Sequence, residues 1–261
     1  MHTPPTTFST RVLERYDNLR NPNTTLKARA AGESLQTGHP LYNELLVGER
    51  RSCEMASLFL DLTNFTGRTY WDDPGEVADL AHAVLSGFTE IVDGLGGHVL
   101  GLRGDGLFAG FGPSADPRVA VALAAAAAAA SLDAVANSLN PALKRRGIEP
   151  LQARAGADYG TAVFMRTGTD DVSEININGF ATNFAAKCEK YANSWEMVVG
   201  ESFAGHILNT GVLSQRDGSP KRFSRDGETK SYKYFDYSWK PVLSEVESAM
   251  ADLAGRSLET V

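Results

Sequence analysis

The chain has 261 residues, 43% hydrophobic and 22% charged, which supplies a folded core and excludes a disordered chain. With 25 basic against 32 acidic residues the net charge is −7, which argues against nucleic acid as a partner and leaves any anionic ligand to local cations. Cys53 and Cys188 are too few for a disulfide framework, and the opening MHTPPTTFST carries no basic-then-apolar leader, so a cytoplasmic setting is expected.

In chain order, Phe8, Val12, Leu13, Tyr16 and Leu19 share one helical stripe, which predicts a helical arm followed by a polar linker, together spanning 1–50. Residues 56–62 read as a buried strand, and 74–95 as a helix with Val77, Leu80, Val84, Phe88 and Ile91 in phase. Gly96 and Gly97 end that helix. Two strands at 98–102 and 107–111 then form a hairpin around Gly104-Asp105-Gly106. The Ala-rich run 119–130 is shorter than the roughly 18 residues a bilayer span needs, so it reads as a buried helix and no membrane span is expected. Further strands are expected near 151–157, 161–165 and 197–199, a helix at 183–191, and an edge strand at 230–237. Val242, Leu243, Val246, Met250 and Leu253 make a last amphipathic stripe in a C-terminal segment, 241–261. The alternation between 51 and 240 predicts a single α/β or α+β domain.

Two acidic residues sit where a carboxylate is costly. Asp61 closes the apolar strand LFLD, and Asp105 occupies the tip of the glycine turn. Asp105 by itself is ordinary turn chemistry. Two carboxylates at strand ends that converge suit a hard cation with oxygen ligands, Mg²⁺ or Mn²⁺. Directly after Asp61, Leu62, Thr63, Asn64, Phe65 and Thr66 form a strand-to-helix transition whose free amides suit phosphate oxygens. Metal ions beside an amide cradle form a phosphoryl-transfer arrangement.

The strings FLDLTNFT, GGHVLGLRGDGLFAGFG and GFATNFAAKCE together resemble the catalytic domain of class III nucleotidyl cyclases, over about residues 53–237. The resemblance implies a ferredoxin-like α+β sandwich that forms a head-to-tail homodimer with its active sites at the interface. It also implies two Mg²⁺ or Mn²⁺ ions per site, and conversion of a nucleoside triphosphate to its 3′,5′-cyclic monophosphate and pyrophosphate. By position it assigns metal binding to Asp61 and Asp105, with the Leu62 carbonyl as a further ligand, and ribose orientation to Asn183 from the opposite subunit. Lys187 stands where the family has arginine; it keeps the charge and loses the planar fork. Lys230, near Arg222 and Arg225, matches the region of the family's triphosphate-binding lysine.

The positions that read a purine in ATP-using members are Gly101 and Asn176 here, so both purine-reading charges are gone. Arg103 lies on the same strand face as Gly101 and reaches the space it vacates. In this the chain resembles the bacterial pyrimidine cyclases of phage defence, which implies a cyclic-nucleotide-binding effector downstream of the product. A donor-only guanidinium suits the two carbonyls of uracil, which favours UTP over CTP, while Asn176 suits either base. Phe59 and Phe108 read as core, with Phe59 also a candidate wall of the substrate site. Two alternatives stay open at this stage: a purine cyclase that reads its base through backbone groups, and an inactive nucleotide-binding pseudocyclase.

Overall fold

The computed structural model describes residues 5–20, 37–114 and 116–243. Strand β1 (Arg50–Thr63) lies at the centre of a sheet and is flanked by β3 (Gly106–Phe111) and β4 (Gln152–Gly168), with β2 (His98–Arg103) outside β3. The order β2-β3-β1-β4, antiparallel throughout, is that of a ferredoxin-like split βαβ core. It continues from β4 through β6 (Met197–Gly200) and β10 (Tyr234–Tyr237) to β7 (Leu213–Gln215), while β5 (Ser173–Asn178) pairs with the far half of β4.

Alternation along β1 decides the layering. Ala56, Leu58, Leu60 and Leu62 point to one face and are buried beneath the helices of the main core. Short α2 (Phe65–Trp71) follows β1 directly, and long α3 (Pro74–Gly94) is capped by Asp73, whose side chain accepts from the Glu76 amide at 3.0 Å. Ala-rich α4 (Pro117–Asp133) runs through a π-helical turn, 134–139, into α5 (Asn140–Arg145). The apolar run is thus part of a continuous helix, Pro117–Arg145, long and apolar enough by composition to cross a membrane, yet 67% of its most apolar window is buried in this fold.

The N-terminal arm is α1 (Pro5–Leu19), and it covers the core of its own chain. Phe8, Val12 and Tyr16 are buried, and Gly87 of α3 lets them approach: a Cβ there would lie 2.6 Å from the Phe8 ring. Arg11 and Arg15 both reach Glu90 of α3. Near the other end, Val242 and Leu243 pack on the core, whereas Val246, Met250 and Leu253 lie outside the described residues.

Several elements differ from the sequence reading. The strand expected at 56–62 begins at Arg50, because β4 supplies backbone partners as far as Arg50 opposite Met165. The two strands expected at 151–157 and 161–165 are one, since β4 continues through Gly160 paired with Met55. The single edge strand expected at 230–237 divides at Lys233. Its first part, β9 (Glu228–Tyr232), pairs with β8 (Lys221–Arg225) as a separate hairpin, and its second, β10, is an interior strand with Tyr234 and Tyr237 buried.

That hairpin docks through Phe223 and Tyr232, which pack on Phe180 and Phe184, and through one buried carboxyl. Asp158 of β4 is fully buried and accepts from the amides of Tyr159 at 2.9 Å and Phe203 at 3.2 Å, and from the Tyr232 hydroxyl at 3.0 Å. Burial pushes its carboxyl up to about 7, against these hydrogen bonds. A folded value above the unfolded one means that Asp158 favours the fold at low pH and that this contribution is lost as pH rises towards 7. Asp158→Asn is therefore expected to gain stability relative to the parent between pH 5 and pH 8, by roughly 2–3 kcal/mol, about two units at 1.4 kcal/mol each. Paired melting curves across that range check it; parallel curves would refute it.

Candidate active site

The second face of the sheet carries the polar residues. Ser57, Phe59 and Asp61 of β1 alternate onto it, opposite Asp158, Gly156 and Arg154 of β4, while Phe108 and Gly106 of β3 lie on the other side. Helix α6 (Phe180–Tyr191) rests on this face over β4. It sits unusually close because Gly156 has no side chain: a Cβ there would lie 1.9 Å from the Glu189 nitrogen. A buried hydroxyl pair, Ser57 Oγ to Thr182 Oγ1 at 3.0 Å, fixes the helix against β1. Beside α6 the sheet face opens into a groove of about 1070 Å³, lined among others by Phe59, Asp61, Gly101, Arg103, Asn176 and Asn183.

Asp61 lines one end of the groove, and the turn carrying Asp105, which lines the adjoining pocket, lies beside it. Asp61 is paired across the sheet with Gly106, where an added Cβ would come within 3.4 Å of Asp61 Oδ1, so the turn carrying Asp105 folds back onto Asp61. The Leu62 amide donates to the Asp105 carbonyl at 3.2 Å. The Asp105 carboxyl is held above the usual carboxylate range, first by burial and then by the negative charge of Asp61.

Sequence reasoning missed two members of this corner. Arg154 Nη2 donates to Asp61 Oδ2 at 2.8 Å, and Arg154 Nε lies 2.6 Å from Oε1 of buried Glu189. Burial, reinforced by the charge of Asp61, pushes the Glu189 carboxyl up to about 7, with Arg154 opposing. Their only signal in the sequence is a charge set among small residues, in ARAGADYG and AAKCEK. Two carboxyl groups, those of Asp61 and Glu189, thus contact one guanidinium, and Asp105 stands near enough for its charge to be felt by Asp61 and Arg154.

This excess of hard oxygen donors fits a divalent cation such as Mg²⁺ or Mn²⁺. Asp61, Asp105 and the Leu62 carbonyl are the groups that would hold it. Among the described residues no three His, Cys, Asp or Glu side chains are arranged to hold a metal ion by themselves, so an ion here would need oxygens from outside this side-chain set.

The remaining candidates are distributed as follows. Phe65 is buried beneath the transition after Asp61, and Asn64 adopts left-handed backbone at φ 59 with its amide on Gln152 Oε1 at 2.9 Å. The Thr63 hydroxyl is bonded to Ser194 at 2.6 Å, while Thr66 and Asp105 line an adjoining pocket of about 520 Å³. No side chain caps the first turn of α2. Phe59 and Phe108 are half-buried and stacked, centroids 4.5 Å apart, on the floor of the groove, so both line it as well as packing. Arg103 is 3.7 Å from Glu174, and Asn176 lies two residues further along β5.

Lys187 and Lys230 are not brought to the aspartates of their own chain. The Lys187 ammonium lies 5.3 Å from the Phe223 ring centroid, and Lys230 is exposed on β9 opposite Phe223, with Arg222 and Arg225 on the neighbouring strand. The groove-lining cation of α6 is Lys190.

A seven-stranded path built on a ferredoxin-like core, with paired aspartates at the β1 end and the β2–β3 turn, has the catalytic-domain fold of the class III nucleotidyl cyclases. The adenylyl cyclase CyaB from P. aeruginosa matches with a TM-score of 0.62 at 20% identity, over 72% of this chain and 95% of that one. The guanylyl cyclase Cya2 matches at 0.60 and 18%, over 74% and 94%. In sequence, the cytidylate cyclase of Staphylococcus aureus is 26% identical over 158 residues, 59% of this chain and 37% of that protein. The chain thus spans little more than a third of the length of that curated relative. No family model matches the chain.

Proposed function

We propose that the chain is a nucleotidyl cyclase that converts a pyrimidine nucleoside triphosphate to its 3′,5′-cyclic monophosphate and pyrophosphate. The observation that carries this reading is the pair Asp61 and Asp105, both half-buried, with Asp61 adding to the cost of ionising Asp105, where a groove large enough for a nucleotide adjoins a smaller pocket. Asp61, Glu189 and Asp105 together carry more carboxylate charge than the single guanidinium of Arg154 offsets, which supports a bound metal. When bound, divalent cations supply activation of the ribose 3′-hydroxyl and neutralisation of the triphosphate.

The chain's own residues do the rest. The uncapped start of α2, with Thr66, offers amides to phosphate oxygens beside Asp105. Arg154 presents a planar guanidinium at the same corner, a fork suited to phosphate. The open groove supports a head-to-tail homodimer, in which Asn183 orients the ribose at the partner's aspartates and the hairpin carrying Lys230 reaches the partner's triphosphate. The loss of both purine-reading charges, at Gly101 and Asn176, and the name of the S. aureus relative support a pyrimidine base. The cyclic product then acts on an effector that binds it, in antiviral defence.

One observation favours a second reading. Lys187 rests on Phe223, which suits a nucleotide-binding protein without turnover. Incubation with ATP, GTP, CTP and UTP, in Mg²⁺ and Mn²⁺ separately, with products weighed by mass spectrometry, decides between them. Cyclic CMP or cyclic UMP is the expected main product. Cyclic purine products refute the pyrimidine reading, and binding with no cyclic product establishes the second.

A further inference from the structure

The groove has a second charged corner, formed by two strands that are not neighbours in the sheet. Arg103 ends β2, and Glu174 lies on β5, which is joined to the sheet through β4. Their side chains meet at 3.7 Å, Nη2 to Oε1, with 87% and 69% of each exposed, and both residues line the groove. An ion pair that open to water is weak, so each partner is free to exchange the other for a ligand at little cost.

The surroundings form the outline of a base site. Gly101, two residues before Arg103, has nothing within 4 Å of where a Cβ would stand. It is paired across the sheet with Phe108, whose ring stacks on Phe59. Empty space therefore lies above an aromatic floor, and Arg103 and Glu174 are at its rim.

We propose that Arg103 and Glu174 together read the hydrogen-bonding edge of the substrate base and select cytosine over uracil. This rests on the pyrimidine cyclase reading above and deepens it. A guanidinium only donates and a carboxylate only accepts. Along its pairing edge cytosine presents two adjacent acceptors, O2 and N3, and then the N4 amine as a donor. The fork of Arg103 matches the adjacent acceptors, and Glu174 accepts from the amine, the usual carboxylate contact to cytosine. Uracil alternates acceptor, donor, acceptor, so it offers the fork no adjacent pair and sets a carbonyl where Glu174 needs a donor. That carboxylate supplies the acceptor whose absence favours uracil when Arg103 is considered by itself.

The test compares the parent protein with Glu174→Gln and Arg103→Ala, both exposed positions away from the hydrophobic core. Binding of 3′-deoxy-CTP and 3′-deoxy-UTP, which lack the attacking hydroxyl, is measured by calorimetry, alongside the ratio of cyclic CMP to cyclic UMP formed from equal CTP and UTP. The parent is expected to prefer cytosine in both measurements. Glu174→Gln lowers the cytosine-to-uracil ratio about tenfold or more, within the range for one good base contact, and Arg103→Ala weakens binding of both nucleotides. A parent preference for uracil, a ratio unmoved by Glu174→Gln, or no binding of either analogue overturns the proposal. Cyclic pyrimidine products with an unmoved ratio refute the base-reading pair and leave the cyclase reading standing. Selective cytosine binding without any cyclic product refutes the cyclase reading and leaves the pair.

Discussion

Asp61→Asn is expected to abolish cyclase turnover, lowering it by roughly 10²–10⁴-fold, while the protein remains folded. The magnitude follows from the several kcal/mol of charge stabilisation that a metal-ion site contributes, at about 1.4 kcal/mol per tenfold in rate. The fold survives because Arg154 keeps a carboxylate partner, Glu189 at 2.6 Å, when Asp61 loses its charge. Asp105→Asn is expected to cost activity on the same scale, with the opposite sign for stability in the absence of metal. Burial and Asp61 hold the Asp105 carboxyl above its unfolded value. Its ionisation therefore opposes folding increasingly as pH rises from that unfolded value towards the folded one. The asparagine removes this opposition, so the variant melts higher than the parent in EDTA at neutral pH. Added Mn²⁺ should raise the melting temperature of the parent and not that of either variant. Turnover near the parent level in Asp61→Asn, or equal Mn²⁺ shifts in all three proteins, would exclude a metal site at these carboxylates.

The different fates of these residues in the sequence reading have physical causes. Asp61 stands out locally because a carboxylate ending an apolar run conflicts with its neighbours, and Asp105, ordinary in a glycine turn by itself, stands out once paired with it. The helix at 74–95 is equally legible, since its buried positions repeat with the period of a helix, and it runs from Pro74 to Gly94. Arg154 and Glu189 have no such signature. They meet Asp61 through pairing across β1 and β4 and through a helix laid on the sheet, contacts between residues far apart in the chain. Glu174 belongs to the same class, because only the course of β5 brings it to Arg103. The strand itself is not among those expected, although SEININ alternates and its Ile175 and Ile177 pack on a small satellite core. The opposite error is to divide β4 between 157 and 161, where Asp158, Tyr159 and Gly160 are not an apolar run yet continue the pairing with β1. The mostly polar stretch 50–54 likewise became strand through backbone pairing, which side-chain hydrophobicity does not report.

Gly156 is the position where a single methyl group should do most damage. It looks from the sequence like one small residue among several in ARAGADYG. In the fold it is the contact point between β4 and α6, and a Cβ would stand 1.9 Å from the Glu189 nitrogen, 2.4 Å from the Glu189 Cα and 2.6 Å from the Ala185 oxygen. All three atoms belong to helix backbone, which cannot rotate away as a side-chain tip does, so the whole helix must lift by an ångström or more. Lifting it opens the buried Ser57–Thr182 hydroxyl pair and draws Glu189 away from Arg154. Overpacking of this kind costs 1–3 kcal/mol and occasionally more, and the exposed polar groups add to it. Gly156→Ala is accordingly expected to lose about 3 kcal/mol of stability in denaturant unfolding. Turnover should fall further than the residual folded fraction explains, since α6 also carries Asn183 and the carboxylate that holds Arg154. A variant with parental stability would mean that α6 stands further from β4 than described. A variant with reduced stability but full turnover per folded molecule would mean that the seating of α6 has no part in the chemistry.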